Sequence, residues 1–170
     1  MIFKGIFVYQ QKYWHLMKEL KTHSLYIQNF AISQSRNEQH LNIFLAITSS
    51  TSIAAWAIWK DHAFIWGVII AVSQVVTAIK PFLPFKKRLA ALNQLGDSIS
   101  KLSLLAERDW FYVAEGKWTE HEIHSKWADL KEKSLTAEKK CLGNLTLPRN
   151  KGALQKAEEE ADLYFVSTYH

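Results

Sequence analysis

The chain contains a single cysteine, Cys141. No intramolecular disulfide can form, so the sequence does not read as a stapled secreted scaffold, and a reduced thiol is expected. No glycine-rich loop follows a strand-like segment, so nothing is set to cradle a nucleotide phosphate. Serines are plentiful, but none sits in a nucleophile-elbow context, and carboxylates are paired only on charged helix faces. The nearest approach to a metal signature is His121-Glu122-His124. Zinc-protease spacing places two imidazoles four residues apart on one helix face; here the second arrives one residue early and no third ligand is marked. No catalytic residue, cofactor or metal site is therefore expected, and the chain does not read as an enzyme. No signal peptide is expected at the N-terminus, because Lys12, Lys18 and Lys21 interrupt any apolar core and no small-residue cleavage site follows. The formal charge of +5 comes with no nucleic-acid motif, and direct nucleic-acid binding is not expected.

What the sequence does have is two uncharged apolar runs, 41–59 and 63–79, separated only by Lys60-Asp61-His62. A run of about 20 apolar residues matches the hydrocarbon thickness of a bilayer. The mean hydropathy of −0.13 hides this pair, because it averages them with the charged segments 1–40 and 80–170. Two runs joined by three polar residues predict a hairpin that crosses the membrane and returns. Trp56, Trp59, Phe64 and Trp66 crowd the tight loop as an interfacial aromatic belt would. Lys80, Lys86, Lys87 and Arg88 crowd the exit of the second run, whereas the loop holds Lys60 balanced by Asp61. The positive-inside rule then places both termini in the cytoplasm. The basic exit is expected to meet anionic headgroups at roughly 1 kcal/mol per lysine. A buried hairpin of a soluble helical bundle is the alternative that the runs leave open.

The flanks read as helices. Residues 2–35 carry an aromatic stripe of Phe3, Phe7, Tyr13, Trp14, Met17 and Leu20 at helical steps. The stripe is expected to pack on the C-terminal helices rather than lie on the inner leaflet. Pro81 and Pro84 mark a bend. A helix from 85 to 113 then repeats Leu92, Leu95, Ile99, Leu102 and Ala106 at heptad spacing, ending at Glu115-Gly116 with a left-handed glycine cap. Thr119 and Glu122 form a capping box opening a return helix along Ile123, Trp127, Leu130, Ser134, Ala137 and Cys141. A last helix over 150–169 places Leu154, Ala157, Ala161, Tyr164 and Phe165 on one face. The expected architecture is an all-α membrane protein in three parts. An N-terminal amphipathic helix (1–40) leads into a two-span hairpin (41–80), followed by a cytoplasmic coiled-coil-like region of an antiparallel hairpin plus terminal helix (81–170).

The apolar runs also carry polar groups. Thr48, Ser49, Thr51 and Ser52 lie at the centre of the first run, and Ser73, Gln74 and Thr77 in the second. Gly67 and Ala71 continue with Gln74 and Ala78 as a stripe of small or polar residues that lets helices approach closely. These side chains either glue the hairpin and its neighbours together or, in an oligomer, line a pore. Hydroxyls can bond back to the carbonyl one turn earlier, which makes their depth in the membrane bearable.

This layout, with the basic exit Lys86-Lys87-Arg88 and the tail from Leu147-Pro148 through Ala157 to Tyr164, resembles the SLATT-type two-transmembrane effectors. That family belongs to bacterial anti-phage systems built on nucleotide signalling or on reverse transcriptases (retrons). The resemblance implies an inner-membrane effector that oligomerises, permeabilises the membrane and arrests the infected cell. No appended nucleotide sensor is visible, so control is expected from a regulatory protein or nucleoprotein partner, such as a retron complex, acting on the cytoplasmic helices. Two other readings stay open: a non-conducting anchor that recruits a partner, and a holin-like protein, though holins carry less cytoplasmic mass.

Overall fold

The computed structural model describes residues 2–58, 63–83, 85–145 and 149–169, and side chains within 7–49, 64–65, 67–83, 85–145 and 149–169. The Lys60-Asp61-His62 loop, Trp59, Pro84 and Leu147-Pro148 therefore lie outside the described residues, as do the side chains of Phe3, Thr51, Ser52, Trp56 and Trp66. The described chain is all-helical, with α1 Ile2–Ile58, α2 Ala63–Ile79, α3 Phe85–Ala114, α4 Glu120–Leu142 and α5 Lys151–Tyr169. A single 3-10 turn, Lys80–Phe82, follows α2 among the described residues. The sequence suggested a break between an N-terminal helix and the first apolar run. Instead α1 is one helix of 57 residues, because no proline or glycine lies between Gly5 and its end. The polar stretch Ser35-Arg36-Asn37-Glu38-Gln39-His40 carries no helix breaker either.

The chain divides into two compact units, one of Met1–Ile32 with Leu89–His170 and one of Ser33–Arg88. The first unit is a four-helix bundle, and its partners fix the helix directions. Gln10 Nε2 donates to the Val113 carbonyl at 2.8 Å, while the Ser24 and Ser100 hydroxyls meet at 2.7 Å. Rising numbers in α1 thus meet falling numbers in α3, so those helices are antiparallel. Tyr9 meets His124 edge-on, Lys12 lies over Trp127 and Lys131 bonds Glu19, so α4 runs parallel to α1. Trp14 against Phe165 and Lys18 on Asp162 make α5 antiparallel again.

The core of this bundle follows the sequence periodicity. Leu92, Leu95, Ile99, Leu102 and Ala106 are all buried on one face of α3. Tyr13, Met17 and Leu20 of the aromatic stripe pack into the same core, joined by Leu16, Ile27 and Phe30. Phe7 departs from that expectation and is exposed. At about 100° per residue it stands roughly 120° round α1 from Tyr13, off the buried stripe. α5 presents Ala153, Ala157 and Ala161 before Phe165, small side chains that let it lie close to its neighbours.

The termini of these helices are closed locally. Gly116 takes φ +66, Lys117 N donates to the Tyr112 carbonyl and Gly116 N to that of Val113. This pair of bonds is the Schellman arrangement, and the left-handed residue within it favours glycine. Glu122 N donates to Thr119 Oγ1 at 3.3 Å while Thr119 N donates to Glu122 Oε2 at 2.7 Å, completing the capping box. That contact draws the Glu122 carboxyl below its ordinary pKa, chiefly through the backbone hydrogen bond. α5 opens on Asn150, whose side-chain oxygen accepts from Ala153 N at 3.0 Å.

Candidate functional site

The second unit, Ser33–Arg88, holds the apolar runs and every candidate residue singled out in them. Lys80 Nζ donates to Asn42 Oδ1 at 2.6 Å, which brings the foot of α2 beside α1. The chain therefore folds back, and the stretch of α1 from Asn42 to its end equals α2 in length at 17 residues.

Burial separates two faces of α2. Ser73 is only 7% exposed, while Ile69, Val76 and Lys80 on its side of the helix are half-buried. Gly67, Ala71, Gln74 and Ala78 all lie on the opposite face and are exposed. A Cβ added at Gly67 would meet nothing within 4 Å among the described residues. On α1, Leu41, Leu45 and Thr48 are half-buried at steps of four and three, one inward stripe.

The hydroxyls bond within their own helices. Thr48 Oγ1 donates to the carbonyls of Phe44 and Leu45 at 3.0 and 3.1 Å, and Ser49 Oγ to that of Ala46 at 3.0 Å. Ser73 Oγ donates to the Ile70 carbonyl and Thr77 Oγ1 to that of Ser73, each at 2.8 Å. Back-bonding of this kind satisfies a hydroxyl without any neighbouring helix. Gln74 differs: its exposed amide takes no partner among the described residues. The surroundings are apolar. Ile43, Phe44, Ile47, Phe64, Ile65 and Val68 are exposed, and so are Val72, Val75 and Ile79.

At the foot of the hairpin the character changes. A groove of about 470 Å³ runs between Glu38 and the segment from Lys80 to Lys87. Lys86 and Lys87 are exposed, and neither has an acidic partner among the described residues. Arg88 is half-buried, with its Nε enclosed and unpartnered. Asn42 and Glu38 did not stand out in the sequence. An amide one residue inside an apolar run, a hairpin's length before Lys80, was the available signal for the first.

The first unit has a polar node of its own. Glu107 on α3 accepts from Lys21 Nζ at 3.3 Å, from the Tyr164 hydroxyl at 2.5 Å and from Ser103 Oγ at 3.4 Å. Lys21 also lies 3.5 Å from the centre of the Tyr164 ring. The Glu107 carboxylate, by that hydrogen bond first and then by burial of the phenol, pushes the Tyr164 pKa up to about 12. His23, 3.6 Å from Glu138, has its imidazole pKa lowered by burial, against the opposing pull of Glu138 and Glu19. His124, part of the near-metal pattern, stacks on Trp127 with ring centres 5.8 Å apart.

Among the described residues no single helix is long and apolar enough to cross a membrane; a bent pair, Gly67–Phe82 followed by Phe85–Ala114, reaches that length and composition. No protein-family model matches the chain, and neither a curated protein nor a solved structure is significantly similar to it.

Proposed function

We propose that this chain is an inner-membrane effector of bacteria. Its two-span hairpin, 41–80, crosses the bilayer with both termini in the cytoplasm, oligomerises, and permeabilises or depolarises the membrane. Growth arrest or death follows, as expected of a SLATT-like anti-phage effector. The carrying observation is that the described part of the hairpin exposes large apolar side chains, from Ile43 and Phe44 to Val72 and Val75. A contiguous apolar surface of this kind marks contact with lipid or protein. Each arm, at about 1.5 Å per residue, reaches roughly 25 Å. Local thinning and a snorkelling Lys80 accommodate the shortfall against a hydrocarbon core of about 30 Å. A partner, such as a nucleoprotein, acts through the bundle of Met1–Ile32 and Leu89–His170.

The test is a potential-sensitive dye in cells induced to express the chain. Rapid loss of potential is expected. Replacing Thr48, Thr51, Ser73 and Gln74 together by leucine should leave membrane insertion intact and abolish depolarisation. Undiminished depolarisation in that variant removes the pore assignment.

A second reading has its own observation. Because the Thr48, Ser49, Ser73 and Thr77 hydroxyls donate to backbone carbonyls, they do not require a watery lumen. A non-conducting anchor meets that geometry equally well. It predicts harmless overexpression and no change in potential.

A further inference from the structure

We propose that the groove at the foot of the hairpin is a binding site for one anionic phospholipid, a bilayer lipid whose phosphate carries no compensating amine. The inference rests on the reading of 41–80 as a membrane hairpin. Lys80, Lys86 and Lys87 line the groove with Glu38 opposite, leaving two net positive charges in about 470 Å³. Glu38 forms no ion pair with any of them. Lys80 gives one hydrogen bond to Asn42, and an ammonium has three donors, so two remain for a phosphate oxygen. Lys86 and Lys87 keep all of theirs.

The apolar half of the groove argues for a lipid rather than a free phosphate. Phe82 is 84% exposed and Leu83 40%, directly beside the lysines in the same groove. A glycerol backbone and the first methylenes of an acyl chain would cover these side chains, whereas an inorganic ion would leave them bare. A zwitterionic headgroup brings its own ammonium into a groove already carrying three, so like-charge repulsion selects against it. The 3-10 turn at Lys80–Phe82, with proline at its start, fixes the backbone that presents these groups. Ordinary membrane-proximal lysines act as a diffuse cloud; here the charges share one groove with an apolar wall.

The experiment uses the full chain, extracted from membranes in mild uncharged detergent, with the co-purifying lipids quantified by mass spectrometry. Wild type should be enriched in phosphatidylglycerol over phosphatidylethanolamine relative to the starting membrane. Lys86→Gln with Lys87→Gln should lower that enrichment about thirty-fold, from the two headgroup contacts removed. Lys86→Arg with Lys87→Arg should restore it. Lys139→Gln with Lys140→Gln, an equal charge change on exposed lysines of α4, should leave it unaltered. Equal enrichment in the Lys86/Lys87 glutamine variant, or equal loss in the Lys139/Lys140 control, overturns the site. Displacement of the lipid by millimolar glycerol phosphate overturns the lipid as its occupant, and retention of the lipid supports it. Release of the chain from membranes by alkaline carbonate overturns the membrane-hairpin reading beneath. A carbonate-resistant chain without lipid preference overturns this inference alone.

Discussion

The bundle of Met1–Ile32 with Leu89–His170 and the hairpin of Ser33–Arg88 are both all-helical, yet they treat apolar surface in opposite ways. In the bundle Tyr13, Leu92, Ile99 and Ile123 are closed off from solvent, and lysines and carboxylates cover the outside in pairs such as Lys131–Glu19 and Lys133–Asp129. In the hairpin Ile47, Phe64, Val68 and Val75 face outward, while the hydroxyls of Thr48 and Ser73 are tied to the backbone. On the proposed reading, each unit is arranged for a different surrounding medium. Water drives the burial that holds the bundle together, and backbone self-satisfaction is what a hairpin placed in hydrocarbon, as proposed, requires.

The comparison breaks most visibly under large-to-small substitution. Ile99→Ala removes a fully enclosed side chain from the bundle and should cost about 2–5 kcal/mol. Val72→Ala, exposed on the hairpin, should change bundle stability by less than about 0.5 kcal/mol. Urea unfolding of the full chain in detergent, followed by near-ultraviolet circular dichroism, measures both; equal losses would erase the distinction. Next in size is Glu107→Ala, which strands Lys21 and the Tyr164 hydroxyl in a mostly enclosed node. The expected cost is about 1–3 kcal/mol in the same unfolding experiment, and no cost would mean that the node contributes nothing. Thr119→Ala removes one half of the capping box and should cost about 1 kcal/mol, with amide exchange rising in the first turn of α4.

The smallest effect is a slope with pH. Burial, outweighing Glu138 and Glu19, holds the His23 imidazole below its ordinary pKa of 6.5. The unfolded chain therefore binds this proton more readily than the folded one. The associated stability is complete above about pH 6.5 and declines as pH falls through the interval down to the folded value. His23→Gln should flatten the stability profile just below about pH 6.5. An unchanged profile would mean that another group produces the slope.

The bundle was largely legible in the sequence because its helices are amphipathic. The Leu92-to-Ala106 heptads, the Thr119–Glu122 box and the Gly116 cap each depend on neighbours along the chain, and each appears where the spacing puts it. The Glu107 node was not legible, since Lys21, Ser103 and Tyr164 meet only after three helices pack. The hairpin was the less readable unit. A helix that is apolar all round offers no periodicity to say which side faces inward. Hence nothing distinguished Ser73, enclosed, from its neighbour Gln74, exposed. The pairing of Asn42 with Lys80 likewise depends on the hairpin's register rather than on any local pattern.

Quenching by lipids brominated along their acyl chains tests the contrast most directly. Of the seven tryptophans, Trp56, Trp59 and Trp66 belong to the hairpin, while Trp14, Trp110, Trp118 and Trp127 belong to the bundle. In the full chain reconstituted into such vesicles, brominated lipid should quench a substantial part of the fluorescence. The variant Trp56→Phe, Trp59→Phe, Trp66→Phe should lose that quenching while retaining emission from the bundle. Equal quenching in both chains, or none in either, would contradict the proposed lipid-embedded hairpin and water-exposed bundle.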